Sequence, residues 1–294
     1  MKPDSKAYRF ENRARQDPAW LKIFMTLLAL LIIILLIVVP VIHIFWQAFS
    51  GGLTNYFHSL WGDPANLDAI TTTLSIAPRV VVLNLLFGLA AAWLIAKFRF
   101  PCRTILLTMI DLPFAISPVV VGLALVLLYG KDGFIGKAFE YLGILILFNS
   151  PALVLATTFV TLPFIVRELI PLMESIGSDE ELAALSLGAN GWQIFLKVTL
   201  PGLKLGLLYG IILCSARAVG EFGAVYVVSG RIAGRGQTIP LRVEQLFQQY
   251  QTPADFALAS ILTLVAIASL VSRRFLEYSQ KISASDKEIS GEKA

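Results

Sequence analysis

The chain has 294 residues, 56% of them hydrophobic and only 15% charged, with 24 Lys and Arg against 20 Asp and Glu. Soluble domains carry about a quarter charged residues, so this composition, with a mean hydropathy of +0.74, excludes an ordinary soluble fold and points to a membrane protein. Cys102 and Cys214 are the only cysteines, too few to support a disulfide framework or a metal site.

The first 22 residues are polar and basic, with Lys2, Lys6, Arg9, Arg13, Arg15 and Lys22. Ile23 to Trp46 then carries no Asp, Glu, Lys or Arg. A spanning helix needs about 20 apolar residues, so this block crosses easily. It exceeds the usual signal-peptide core of about 7–15 residues, and no A-x-A site follows, which argues against a cleaved leader. Ala69 to Ala96 is apolar apart from Arg79. Thr104 to Tyr129 contains Asp111 and is interrupted by Pro113 and Pro118. Leu142 to Val166 is uncharged, with Pro151 and Pro163 inside it. Leu205 to Ser229 holds Arg217 and Glu221, and Phe256 to Val271 is short and uncharged. Six spans put both termini on one side.

The loop at 97–103 holds Lys97, Arg99 and Arg103, and the C-terminal end holds Arg273, Arg274, Lys281, Lys287 and Lys293, whereas residues 48–68 hold no Lys or Arg. The positive-inside rule therefore places both termini in the cytoplasm. The expected organisation is a cytoplasmic segment at 1–22, a six-helix transmembrane domain at 23–277 and a cytoplasmic tail at 278–294. The tail is polar from Ser279 and reads as loosely ordered. Residues 130–141 and the Gly-rich 229–254 are then external, and Arg231, Arg235 and Arg242 in the latter run against the charge rule. The basic excess (pI about 9.1) lies between apolar blocks, not with aromatics on one polar domain, so it sets topology and argues against nucleic acid as a partner.

Between the fourth and fifth blocks lies SIGSDEELAALSLGANGWQIFLKVTLPG, residues 175–202. It is too polar to span and too patterned for a plain linker. Ser178 is placed to cap a helix, with Glu181 completing a capping box. Asp179, Glu180 and Glu181 suit the positive end of a helix dipole. Leu182, Leu185 and Leu187 with Ala183 and Ala184 give a small apolar helix that Gly188 and Gly191 can break. Trp192, Ile194, Phe195 and Val198 form a second apolar patch ended by Pro201. Such a helix–turn–helix either offers its face to something outside the membrane or lies on its own bundle, and the pattern alone supports both.

This loop resembles the EAA loop of permease subunits in ABC importers, E-A-A-x3-G-x9-I-x-L-P. Ala183, Ala184, Gly188, Val198, Leu200 and Pro201 keep the spacing, with Val for Ile, while the family glutamate falls on Leu182 and Glu181 sits one residue earlier, about 100° round a helix. ARAVGEFGA at 216–224, DLPFAISPVVVGL at 111–123 and LPFIVRELIP at 162–171 resemble the sulfate and molybdate branch. SPVVVGLALVLLYG with VRELIPLM is most similar to its W-type sulfate/thiosulfate subunits. The resemblance implies an all-α membrane protein of the type I ABC importer permease class (MetI-like), in which residues 178–201 form a cytoplasmic coupling helix. Glu181, Leu182, Ala183, Ala184, Gly188 and Pro201 would then meet an ATPase subunit. The implied partners are ABC ATPase subunits, a second homologous permease, an extracytoplasmic sulfate-binding protein and membrane lipid, in a bacterial-type inner (plasma) membrane. No catalytic residue, metal or cofactor is implied for this chain, and no G-x-x-x-x-G-K-[ST] run is present.

Arg217 is about 20 Å along its span at 1.5 Å per residue, with Glu221 four residues on and on the same face of a continuous helix. An unpaired arginine at mid-membrane costs about 3 kcal/mol on insertion scales. That face therefore looks into the bundle, a partner or a watery path. There the pair either helps an anion cross or fixes packing as a buried ion pair. Arg79 is a second path candidate, with snorkelling towards an interface as the simpler reading. Ser117, between Pro113 and Pro118, is a third, since broken helix can bare N–H groups to an anion; the plain alternative is a kink. Asp111 would repel an anion and reads as structural. Arg167 and Glu168, adjacent in sequence, read as a gate or an interfacial pair, and His43 and His58 as inert.

The expected function is thus a permease subunit for ATP-driven import of sulfate or thiosulfate, with molybdate or tungstate as the alternative cargo. A secondary anion transporter would show inverted repeats and more intramembrane carboxylates. A membrane enzyme would need a clustered catalytic set that two scattered histidines do not supply.

Overall fold

The computed structural model describes residues 19–141, 143, 145–230 and 236–291, the stretch 279–291 by its backbone alone. Arg231 and Arg235, and all of residues 1–18, lie outside the described residues. The described residues fold into helices joined by short turns, with no strand among them. Four helical runs are each long and apolar enough to cross a bilayer, and two bent pairs bring the crossings to six when each pair counts as one span.

The first crossing, Trp20–Phe49, joins α1 (Ala19–Ile33) to α2 (Val39–Phe49) through one wide π turn at Ile34–Val38. Pro40 follows that turn, and Pro201 follows the other π turn at Phe195–Thr199. A proline lacks the N–H of its own turn and its ring crowds the preceding one, so the helix widens instead of breaking. After the short α3 (Gly52–Trp61) comes α4 (Pro64–Lys97). Its buried positions Asn66, Ala69, Thr73, Ile76, Ala77, Val80, Asn84, Gly88, Ala92 and Ile95 recur every three or four residues along one face.

The third block is no straight span. It divides into α5 (Arg103–Ala115) and α6 (Pro118–Tyr129), bent by 109°. Pro118 disfavours helical backbone at the residue before it, and Ser117 adopts φ −58°, ψ 133°. The short α7 (Phe134–Tyr141) leads to α8 (Ser150–Ile176). This fourth crossing starts and ends later than the apolar run at 142–166 suggests. Pro151 is pre-organised for a first helical turn, and the helix carries on past Pro163 and Pro171 because packed neighbours hold it.

The 178–201 hairpin follows: α9 (Asp179–Ser186), α10 (Gly191–Ile194), the second π turn and α11 (Leu200–Gly202). The fifth crossing bends by 67° out of this hairpin into α12 (Lys204–Val219). It breaks again at Gly220 before α13 (Gly223–Val228). The Gly-rich stretch expected to be an external loop contains α14 (Ile239–Gln248), whose apolar face packs back on the bundle. The last helix, α15 (Thr252–Gly291), runs straight through the tail read as loosely ordered. That tail is made of residues tolerated in helices, with no proline or glycine before Gly291.

The centre of the bundle is α4 on α8, with α12 against both. Gly88 makes their closeness possible: a Cβ there would stand 2.9 Å from Ile165 Cγ2. Beside it the Asn84 amide donates to Thr161 Oγ1 at 2.6 Å and to Cys214 Sγ at 3.4 Å, a buried polar link across three crossings. Such interhelical bonds are worth about 1 kcal/mol in membranes. The third and fifth crossings meet at their breaks: α6 packs on α13, and a Cβ on Gly122 would come within 2.7 Å of the Ala224 carbonyl oxygen.

Candidate translocation path and coupling surface

The Arg217–Glu221 pair forms, with Arg217 Nη2 2.8 Å from Glu221 Oε2. It does not lie on one continuous helix, however. α12 ends at Val219, and the carboxylate reaches back across the break at Gly220. Its other oxygen accepts from the Ala224 backbone N–H at 3.2 Å, at the start of α13. The environment is lopsided: Glu221 is 1% exposed, whereas Arg217 is 35% exposed. The pair turns its positive end to the open face and its negative end to the protein. Gly220 and Phe222 are exposed beside it.

The second break adjoins the first. A Cβ on Gly223 would meet Pro118 Cβ at 3.0 Å and the Val119 nitrogen at 3.4 Å. Ser117 is exposed and its side chain caps nothing, so the first turn of α6 starts without a side-chain acceptor. The structure therefore brings Ser117 to the same region as Arg217 and Glu221. Arg79 has a partner of its own. The Arg79 guanidinium donates to Ser150 Oγ at 3.3 Å, at the first residue of α8. The long side chain thus reaches to the start of a neighbouring helix. Arg167 pairs with Asp111 across α5 and α8 at 2.7 Å, not with its sequence neighbour Glu168, and lies 4.7 Å from the Phe114 ring centroid.

On the hairpin, Ser178 caps α9 by position but makes no side-chain bond, so the capping box expected with Glu181 is absent. Glu181 is occupied elsewhere: Oε2 lies 3.0 Å from Lys97 Nζ at the end of α4, and Oε1 accepts from Thr199 Oγ1 at 2.7 Å. The capping box sits at α10 instead, between Asn190 and Gln193. With Glu181 turned inward, the next residue turns outward. Leu182 is 56% exposed, Leu187 88% and Trp192 69%, an apolar face left open among the described residues. Gly188, at φ +83°, makes the turn between the two short helices, and Pro201 and Ala183 are exposed while Ala184 is half-buried.

Two arrangements escaped the sequence reading. One is the Asn84–Thr161–Cys214 link, whose signal was a lone amide in an apolar span. The other is Arg242. It is buried and not a loop charge, and it donates to Asp63 Oδ2 at 2.5 Å and to Asn66 Oδ1 at 2.7 Å at the start of α4. Its conflict with the charge rule was the visible sign, since a paired, buried cation does not count in that rule as a free one does.

The family model described as binding-protein-dependent transport system inner membrane component matches residues 84–281. The chain belongs to this family. It is a membrane-spanning transport subunit of the inner-membrane class, not an enzyme. Among curated proteins it is 48% identical over 259 residues to the sulfate transport system permease protein CysW of Escherichia coli (strain K12), covering 88% of this chain and 89% of that one. It is 48% identical to CysW of Synechocystis sp. over 87% of this chain and 93% of the relative. To the E. coli K12 permease protein CysT the identity is 34%, over 85% and 87%. The W-type resemblance read from SPVVVGLALVLLYG and VRELIPLM agrees with that order. Among solved structures, a permease chain from a bacterial alginate ABC transporter in complex with an alginate pentasaccharide-bound periplasmic protein superposes with a TM-score of 0.72 at 19% identity. The match covers 90% of this chain and 95% of that one, and shows the shared ABC permease fold.

Proposed function

We propose that the chain is one permease half of an ATP-driven importer of sulfate and thiosulfate. The curated sulfate permeases, to which it is 46–48% identical over most of its length, support that cargo. The observation that carries the path is the polarity of the Arg217–Glu221 pair. Its cation is half-exposed at a helix break, its carboxylate is enclosed, and the uncapped start of α6 at Ser117 stands beside it. A dianion needs positive potential and N–H donors held loosely enough to release it. Broken backbone at membrane depth is tolerated only against protein or water, so this face is closed by a second permease, with the path between the two.

The exposed leucines and Trp192 of the 178–201 hairpin dock on an ATPase subunit, with Leu182 at the contact and Glu181 behind it. Both termini are cytoplasmic, with 1–22 and 278–294 flanking the transmembrane domain, and an extracytoplasmic sulfate-binding protein delivers the ion to the opposite face. ATP-driven closure of the ATPases rocks the bundles between inward and outward access. The test is uptake of labelled sulfate by vesicles holding the assembled complex, with and without binding protein and with molybdate as competitor. ATP-dependent uptake that requires the binding protein and resists equimolar molybdate is expected. Preferential uptake of molybdate, or uptake without the ATPase subunits, would overturn the reading.

A further inference from the structure

The hairpin joins the bundle at both ends, through α8 and through α11 into α12, and the joint at α8 is soft. Gly177 has φ +72°, ψ −150°, a region that only glycine enters freely. Nothing surrounds the position where its Cβ would be. A push on the hairpin delivered through Gly177 alone would be absorbed by backbone rotation. Lys97 spans this joint from outside. Its Nζ donates to the Gly177 carbonyl at 2.5 Å on one side and pairs with Glu181 at 3.0 Å on the other. Thr199 binds the same carboxylate, so both limbs of the hairpin meet the end of α4.

The far end of α4 is held with equal care. Asp63 caps it, accepting from the Ala65 N–H at 2.9 Å, and Arg242 of α14 grips Asp63 and Asn66. The Ile239 N–H at the start of α14 donates to Thr73 Oγ1 at 2.9 Å. Between these clasps α4 is one helix of 34 residues, about 50 Å at 1.5 Å per residue, with a buried stripe along its length.

Building on the importer reading, we infer that α4 is the strut that ties the ATPase-side hairpin to the outer helix α14, with Lys97 and Glu181 as its positioning residues. Movement of the hairpin then reaches the outer face without passing through the Gly177 joint. Reciprocally, what settles on α14 is felt at the hairpin, because coupling between two sites acts in both directions.

The test uses the complete complex with its ATPase subunits in lipid nanodiscs and follows amide hydrogen exchange of residues 239–248 with ATP and with ADP. The parent chain should show a change of about threefold or more in exchange rate between the two nucleotides. Lys97→Met and Glu181→Gln should abolish that change while the ATPase subunits still co-purify, and the swapped chain Lys97→Glu/Glu181→Lys should recover much of it. A purely local role for the ion pair would not move a readout on the opposite face. An unchanged nucleotide response in Lys97→Met and Glu181→Gln, or no response in the parent, overturns the strut. If the parent responds and its variants do not, yet the complex imports no sulfate, the strut stands and the cargo assignment falls.

Discussion

Arg217 and Glu221 are worth separating experimentally, because the structure gives them unlike surroundings. Removing the guanidinium alone leaves a carboxylate 1% exposed without its cation, and stripping one partner from such a pair is strongly destabilising. Loss of uptake in Arg217→Ala is therefore expected but has two causes. Arg217→Ala/Glu221→Gln resolves them, since it removes the stranded charge. Its complex should assemble and stay inactive, measured as sulfate uptake per assembled complex; recovery of uptake would make the arginine a mere counterion. Leu182→Glu, which restores the residue of the EAA pattern, changes an exposed position. It should alter stability by less than about 0.5 kcal/mol, read as an unchanged thermal midpoint with transport retained.

At the level of elements, glycine decides how helices meet and turn. Gly88→Val would drive a side chain into Ile165 and should cost about 1–3 kcal/mol, measured as a lowered unfolding midpoint in detergent, with Ile165→Ala recovering much of it. Gly188→Val meets open space, so its whole cost is the left-handed backbone at φ +83°, about 1–2 kcal/mol. It should leave the bundle folded while lowering sulfate imported per ATP hydrolysed. The elements were legible wherever apolar blocks and prolines spoke together: the breaks at Pro118 and around Gly188 follow from local chemistry. The fourth crossing was placed several residues early, because hydropathy marks apolar residues and not where a helix starts. Arg217 and Glu221 were found by their cost in hydrocarbon, but the break between them was not, since Gly220 reads equally well as a thin spot in a helix. The inward turn of Glu181 depends on Lys97, 84 positions away in the chain, and no local pattern encodes such a partner.

For the whole molecule, sidedness has a direct handle in the native cysteines. Cys102 is exposed beside the end of α4 and Cys214 is enclosed. A membrane-impermeant thiol reagent should modify one site in inside-out vesicles and none in right-side-out vesicles, and the opposite result would invert the topology. The first crossing stands apart from the rest. No residue in its most apolar stretch is buried among the described residues, and its last third, α2, packs on α15. During synthesis, the apolar stretch of this segment can settle into the bilayer as soon as it leaves the ribosome, because it needs no later part of the fold to shelter it.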